Sequence, residues 1–402
     1  MAANEKAREA TSAAAGASAQ LGHVVAIGAS AGALEALRTV LGGLEASSSA
    51  TFVVAVHRSS SSGGRLDGLL QPYTELPVRE AAREELLEPH TILLVPASAE
   101  VGVIDSHLRL VDMPAAEARR GRIDRLFRAV AAGRGSRGVG VLLTGAGSDG
   151  SLGLGGIKDR GGLTIVQDPA EAEYAGMPSS ALDSGVVDLV LPLRDIPSAI
   201  ERYCGTDPQL KHDRREQGTD ESALFGELLA LLEQRTGRDF AVYRQSLLAQ
   251  RVAKRMRIHA IDDWPTYLGL LRTDTAEAAA LANELLLNVT EFFGHERKFE
   301  RLESDVLPRL FATKTRDRDT FRAWVVGCST GEDAYSLAIA LLEQRARRDV
   351  RPSIQVFASD MSDESLQRAR SGFYPAEIEG LVSPERLAAF FVRDEDRGYR
   401  VR

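Results

Sequence analysis

The sequence predicts an α/β protein: a doubly wound parallel-sheet domain, then a helical subdomain, then a partial second α/β region of Rossmann-like type. Three observations carry this. From Val24 to about Tyr203, short apolar runs alternate with helical stretches, the pattern of strands buried on both faces and linked by crossover helices. Residues 205–221, GTDPQLKHDRREQGTDE, are polar and contain Gly and Pro, as an interdomain linker does. After an all-helical stretch, about 222–285, the strand–helix alternation returns.

Taken in order, residues 1–20 are small and polar and predict a disordered tail. Val24–Ile27, Phe52–Val56, Ile92–Val95, Val139–Leu143 and Leu163–Val166 read as buried parallel strands. Leu34–Leu44, Arg122–Ala132 and Leu152–Arg160 read as the helices between them. In the second region Phe321–Val326 and Ile354–Ala358 read as strands, with helix Ala334–Arg345 between. The expected organisation is a tail at 1–20, a first domain at 21–204, a linker at 205–221, a helical subdomain at 222–285 and a partial α/β domain at 286–402. No internal repeat is present at the usual periods.

The 402 residues leave room for two or three domains, and the formal net charge of -8 argues against nucleic acid as the main partner. No apolar run reaches the roughly 18–20 residues needed to cross a bilayer, so direct membrane insertion is not expected. The N-terminus lacks the apolar core of a signal peptide. Cys204 and Cys328 form neither a metal pattern nor a disulfide framework, which suits a reducing cytoplasm.

Gly28-Ala29-Ser30-Ala31-Gly32 follows a strand and precedes a helix, the context of a G-x-S-x-G nucleophile elbow. Alone the pattern also fits a phosphate cradle or plain packing. Two more residues strengthen it. His57 directly follows strand Phe52–Val56, and Asp149 lies just past strand Val139–Leu143. In a parallel sheet the C-terminal strand ends share one edge, so three separate segments deliver Ser, His and Asp to one rim. A serine needs a base to take its proton, and the base needs a carboxylate to fix its tautomer. Taken singly, His57 also fits a surface loop and Asp149 an Asp-Gly turn. The order Ser, His, Asp disfavours the ordinary α/β-hydrolases, which run Ser, acid, His.

Ile27-Gly-Ala-Ser-Ala-Gly32, Ala55-Val-His57, Leu143-Thr-Gly-Ala-Gly-Ser-Asp-Gly150 and Gln167-Asp-Pro…Gly176-Met-Pro178 resemble the motifs of CheB catalytic domains, in the same order, over about residues 21–203. The resemblance implies a methylesterase that removes methyl esters from chemoreceptor glutamyl side chains, in some members also deamidating glutamines, without a cofactor. It implies Ser30 as nucleophile, His57 as base, Asp149 as orienting acid and the backbone N–H near Ala146 as an oxyanion donor. Geometry adds the Ala31 N–H as a second. About 20 residues precede the first strand, so no N-terminal receiver domain is expected to restrain the esterase.

In the second region Val326-Gly327-Cys328-Ser329-Thr330-Gly331-Glu332 follows a strand and opens a helix. It is neither G-x-G-x-x-G nor a P-loop. Asp360 ends the next strand, where a carboxylate can bond ribose hydroxyls or cap the following helix. With Asn288-Val-Thr290-Glu-Phe-Phe293, these residues resemble the CheR methyltransferases over about residues 222–402. The resemblance implies S-adenosylmethionine as cofactor, with Asn288, Thr290, Glu332 and Asp360 in contact with it.

Helix Ser246–Arg257 carries an apolar stripe, Leu248, Val252 and Met256, with Arg251, Lys254, Arg255 and Arg257 mainly on other faces. A basic face of this kind is either simply solvated or, as the resemblance implies, docks on acidic receptor helices. Two departures stand out: Gly294 occupies the position of an active-site Arg, and only two strands of the methyltransferase sheet are evident before Arg402. The sequence reading is therefore a CheB–CheR fusion acting on methyl-accepting chemoreceptors in the cytoplasm, with an incomplete methyltransferase half. The rival is a non-catalytic scaffold or S-adenosylmethionine-sensing module.

Overall fold

Two continuous apolar runs set the centre of the first domain. In β1 (Val24–Ala29), Val25, Ile27 and Ala29 enter one core while Val24 and Ala26 enter another. In β2 (Thr51–Val56), Phe52, Val54 and Val56 separate in the same way from Val53 and Ala55. Strands apolar on both faces must be covered on both. The computed structural model describes residues 22–57, 65–104, 106–114, 121–206, 220–241, 243, 245–286, 290–294, 296–314, 316–394 and 398–402. The predicted tail at 1–20 and most of the predicted linker at 205–221 lie outside these residues.

Helices Ala33–Gly42 and Ile196–Gly205 cover one face of the sheet. Helices Arg122–Arg134, Ser151–Asp159 and Gly176–Ser184 cover the other. The sheet adds β3 (Val78–Glu80), β5 (Thr91–Leu94), β8 (Gly138–Leu142), β9 (Leu163–Gln167) and β10 (Leu189–Leu191), all parallel, in the order β10-β9-β8-β1-β2-β5-β3. The chain winds outward from β1 to β2 and β5, then returns to β8 and winds the other way. The gap between β1 and β8 is therefore the topological switch point, where open α/β sheets bind ligands. A small antiparallel sheet of β4 (Glu84–Leu86), β6 (Ala99–Ile104) and β7 (His107–Asp112) was not expected from the sequence.

Helices Asp220–Thr236, Gln245–Ile258, Trp264–Thr273 and Thr275–Leu286 follow. The chain divides into two compact units after Ala278, so most of this helical region groups with the parallel sheet. Leu248, Val252 and Met256 are buried, as their spacing predicts. The expectation of an outward basic docking face on the same helix is corrected. Arg251 and Arg257 are buried and Lys254 is 0% exposed. Arg255 forms an ion pair with buried Glu277. The cause is packing on two sides. One side of the helix meets the first domain, where Lys254 reaches Asp188 and Arg257 lies over the Tyr203 ring. Another meets the following helices, where Glu277 also takes His259 and Tyr267.

The second unit contains the parallel pair β11 (Thr320–Val326) and β12 (Ser353–Ser359), joined through helix Glu332–Ala346. Phe321 and Leu341 pack inside with Phe311. On the opposite face of this two-stranded sheet Trp324, Val326 and Phe357 are exposed at 67%, 69% and 55%, an open apolar surface. β13 (Phe373–Tyr374), β14 (Phe391–Asp394) and β15 (Gly398–Val401) form a further antiparallel sheet that the sequence reading missed.

Candidate functional site

Ser30 follows β1 at the switch point. Its backbone N–H donates to Thr144 O at 3.0 Å, tying the elbow to the loop after β8. The glycines on either side have separate reasons. A Cβ on Gly28 would lie 2.2 Å from Ile123 Cγ2, so Gly28 admits the Arg122–Arg134 helix. Gly32 has φ +76, which an L side chain rarely adopts, and caps the Ala33–Gly42 helix. The hydroxyl of Thr144 donates to Ala31 O (3.1 Å) and accepts from Tyr174 N (2.9 Å), fixing the turn from its second side.

His57 sits one residue past β2, its N–H donating to Ala29 O at 3.1 Å. Its Nε2 lies 2.7 Å from Asp149 Oδ2. With Nε2 held by the carboxylate, Nδ1 is the ring nitrogen left to take a proton. Asp149 is buried. It also accepts the N–H of Ile123 at Oδ2 and the N–H of Asp124 at Oδ1, both at 3.0 Å, in the first turn of the Arg122–Arg134 helix. Burial by itself would raise this carboxyl. The His57 hydrogen bond and the two helix N–H groups outweigh it and hold the pKa below the ordinary carboxylate range.

The structure thus joins His57 to Asp149 and holds Ser30 on the adjoining strand end. Among the described residues the Ser30 hydroxyl makes no hydrogen bond to the ring, and looser nucleophile–base contacts are ordinary before substrate binds. The Ala31 and Ala146 N–H groups donate no hydrogen bond within the described residues. Sequence reasoning missed Arg122, whose buried guanidinium donates to Val95 O and Pro96 O at 2.6 Å beside Asp149. It also missed Asp124, and only the short spacing Arg122-Ile-Asp124 at a helix start hinted at either.

In the second unit the loop after β11 turns through left-handed backbone at Gly327 (φ +72), Ser329 (φ +46) and Gly331 (φ +102). Asp360 Oδ2 accepts from Ser329 N and Oδ1 from Ser362 N, both at 2.8 Å. The cap of the next helix is Ser362, not Asp360. Glu332 Oε2 accepts from Thr290 and Thr330 hydroxyls, each at 2.6 Å, and burial raises its pKa. Three of the four expected cofactor residues therefore share one loop cluster, and Asn288 lies outside the described residues. A Cβ on Gly327 would meet no atom within 4 Å, so a ligand has room to approach this backbone. At Gly294 a Cβ would meet only its own turn, Glu291 O at 3.1 Å.

A serine on a switch-point elbow, with a His–Asp pair on the neighbouring strand ends, defines the frame of a serine hydrolase, here continued into a helical and nucleoside-binding type of module. Residues 25–200 match the CheB methylesterase family, residues 223–286 the all-alpha domain of CheR methyltransferases and residues 288–402 their SAM-binding domain. The chain joins a CheB methylesterase domain to the two domains of a CheR methyltransferase. It is 32% identical over 347 residues to an uncharacterized 104.1 kDa protein in the hypE 3' region of Rhodobacter capsulatus, covering 80% of this chain and 36% of that one. A protein-glutamate methylesterase/protein-glutamine glutaminase of Moorella thermoacetica is 41% identical over 183 residues, 44% of this chain and 43% of its own. A chemotaxis protein methyltransferase of Salmonella typhimurium is 33% identical over 173 residues, 42% of this chain and 57% of its own. The chain therefore spans well under two thirds of each of these relatives. The crystal structure of the Thermotoga maritima CheB methylesterase catalytic domain matches 45% of this chain and 97% of that one, at 28% identity and TM-score 0.43. Among the described residues no helix is long and apolar enough to cross a membrane.

Proposed function

We propose that the first domain hydrolyses methyl esters of glutamyl side chains on a methyl-accepting chemoreceptor or related signalling protein in the cytoplasm. His57 Nδ1 takes the Ser30 proton as the serine oxygen attacks the ester carbonyl. The Ala31 and Ala146 N–H groups face the developing oxyanion. His57 then passes its proton to the departing methoxide, releasing methanol, and water attacks the acyl-serine by the same route in reverse to free the glutamate. Asp149 stays ionised throughout, keeping the ring in one orientation and stabilising the imidazolium. Glutamine deamidation would use the same steps with ammonia leaving.

The observation that supports this most is the 2.7 Å His57–Asp149 bond beside the elbow serine. The test is methanol release from a methyl-esterified glutamyl peptide by the 402-residue chain and by Ser30→Ala. Loss of the nucleophile should cost about a thousandfold or more in rate; a Ser30→Ala variant within a few-fold of wild type overturns the reading.

The second half is proposed to bind S-adenosylmethionine, which supplies an activated methyl group when bound. Asn288, Thr290, Glu332 and Asp360 are the residues assigned to hold it. Gly294 offers no side chain where the family resemblance places an active-site Arg, which favours a binding role for this half over methyl transfer.

A further inference from the structure

Asp124, in the first turn of the Arg122–Arg134 helix, is absent from the mechanism above. The residue is 3% exposed. Oδ1 accepts the N–H of Gly150 at 3.0 Å and of Gly153 at 2.7 Å. Gly150 is the residue after Asp149 and the N-cap of the Ser151–Asp159 helix, with φ +100. Asp124 therefore caps the helix that Asp149 leads into, while Asp149 caps the helix that contains Asp124. The exchange requires close approach of the two helices. A Cβ on Gly153 would lie 2.7 Å from Asp124 O, and one on Gly150 would lie 2.9 Å from Ile123 Cγ2.

We propose that Asp124 is a positioning residue for the esterase: it fixes the Asp149 carboxylate, and through it the His57 ring, by clamping the backbone immediately after Asp149. The inference rests on the reading of Ser30, His57 and Asp149 as the hydrolytic triad. Asp149 Oδ2 has two simultaneous obligations, His57 Nε2 at 2.7 Å and Ile123 N at 3.0 Å. Both are met only while its loop stands at one height above the helix end. Its own two helix contacts hold the side chain; Asp124 holds the main chain from the opposite direction. Without that second anchor, residues 149–150 can shift, and misplacement of about 1 Å at an orienting group is enough to cost on the order of a hundredfold in rate.

The experiment compares Asp124→Ala and Asp124→Asn in the full chain on the methylated glutamyl peptide. Rates are normalised to serine reactive with a fluorophosphonate, with Ser30→Ala run beside them. Asp124→Ala should lower kcat at least tenfold with KM within about twofold. Asp124→Asn keeps a carbonyl oxygen that accepts both N–H groups and should stay within about threefold of wild type. Should Asp124→Ala not fold, Asp124→Ser, too short to reach both N–H groups, takes its place with the same expectations. Wild-type kcat per reactive serine in the Ala or Ser variant, whatever its melting temperature, overturns the proposal. So does an Asn variant as impaired as Ala. Undiminished turnover by Ser30→Ala would instead overturn the triad reading, a result separable from any behaviour of Asp124.

Discussion

The Lys254 ammonium lies 2.8 Å from Asp188 Oδ2, with 0% and 1% of the two side chains exposed. The same carboxylate holds Lys158 at 2.7 Å through Oδ1 and accepts the Thr164 hydroxyl and N–H. Thr164 stands at the start of β9, so this contact meets the sheet at the edge opposite to the one bearing Ser30 and Asp149. The helical region is thereby anchored to the first domain without covering the candidate esterase site through this contact.

Removing the shared anion leaves two buried cations, whereas removing one cation leaves the other paired. Asp188→Asn should destabilise this unit by about 3–5 kcal/mol, the cost of breaking a buried pair from one side. Lys254→Met, which conserves much of the volume and leaves Lys158 on Asp188, should cost clearly less. Urea unfolding of both variants measures the order, and equal losses would contradict it.

Acid should weaken the same unit. Burial would raise the Asp188 carboxyl, but Lys254 and Lys158 hold it far below its ordinary range. Burial would likewise raise Glu277, but His259, Arg255 and Tyr267 bring it to about 2. Both folded values lie below the unfolded ones, about 3.9 and 4.3. The stability they contribute is fully present above the unfolded values and is lost as pH falls toward the folded ones. Melting temperature should fall steeply below about pH 5, and the fall should be shallower in Glu277→Gln. Identical slopes for the two proteins would contradict this.

Asp149→Asn replaces an acceptor-only group with one that must present an amide to either His57 or the helix N–H groups. The turnover rate should drop by about ten-thousandfold, as expected when an orienting carboxylate no longer fixes the ring tautomer. Steady-state kinetics alongside circular dichroism separates lost chemistry from lost fold; an active, folded Asp149→Asn variant would point to a different acid.

In the second unit Asp360 is held by Ser329 N and Ser362 N. Asp360→Ala should weaken S-adenosylmethionine binding about tenfold by calorimetry, the scale of one charge-assisted hydrogen bond. The chain should bind the cofactor yet transfer no label to receptor membranes. Gly294→Arg brings a Cβ to 3.1 Å from Glu291 O, so the turn must shift by a few tenths of an ångström; binding should stay within a few-fold. Robust transfer by the unaltered chain would show that an Arg at 294 is dispensable.

The long buried strands were legible because an uninterrupted apolar run such as Phe52–Val56 has few other uses. Ser30, His57 and Asp149 were legible as strand-end residues in one parallel sheet, and the pairing of His57 with Asp149 followed from that placement. What escaped the sequence depends on partners distant along the chain. β3, β10 and β13 are two or three residues long and exist only through pairing. Asp124 acquires its role from Gly150 and Gly153, which no spacing rule connects to it. The four basic residues at 251, 254, 255 and 257 looked like a solvent-facing surface, because periodicity marks the apolar stripe but cannot reveal that Asp188 and Glu277 wait on two other sides.

The central claim, that Ser30 is a nucleophile activated through His57 and Asp149, is tested most directly by covalent capture. The full chain is treated with an alkyl fluorophosphonate and the modified residue mapped by mass spectrometry. Methanol release from the methylated peptide is followed in parallel. The account predicts one adduct per chain, on Ser30, forming in step with loss of hydrolysis and slowed strongly in His57→Ala. An adduct on another residue, or hydrolysis that continues undiminished with Ser30 fully modified, would contradict it.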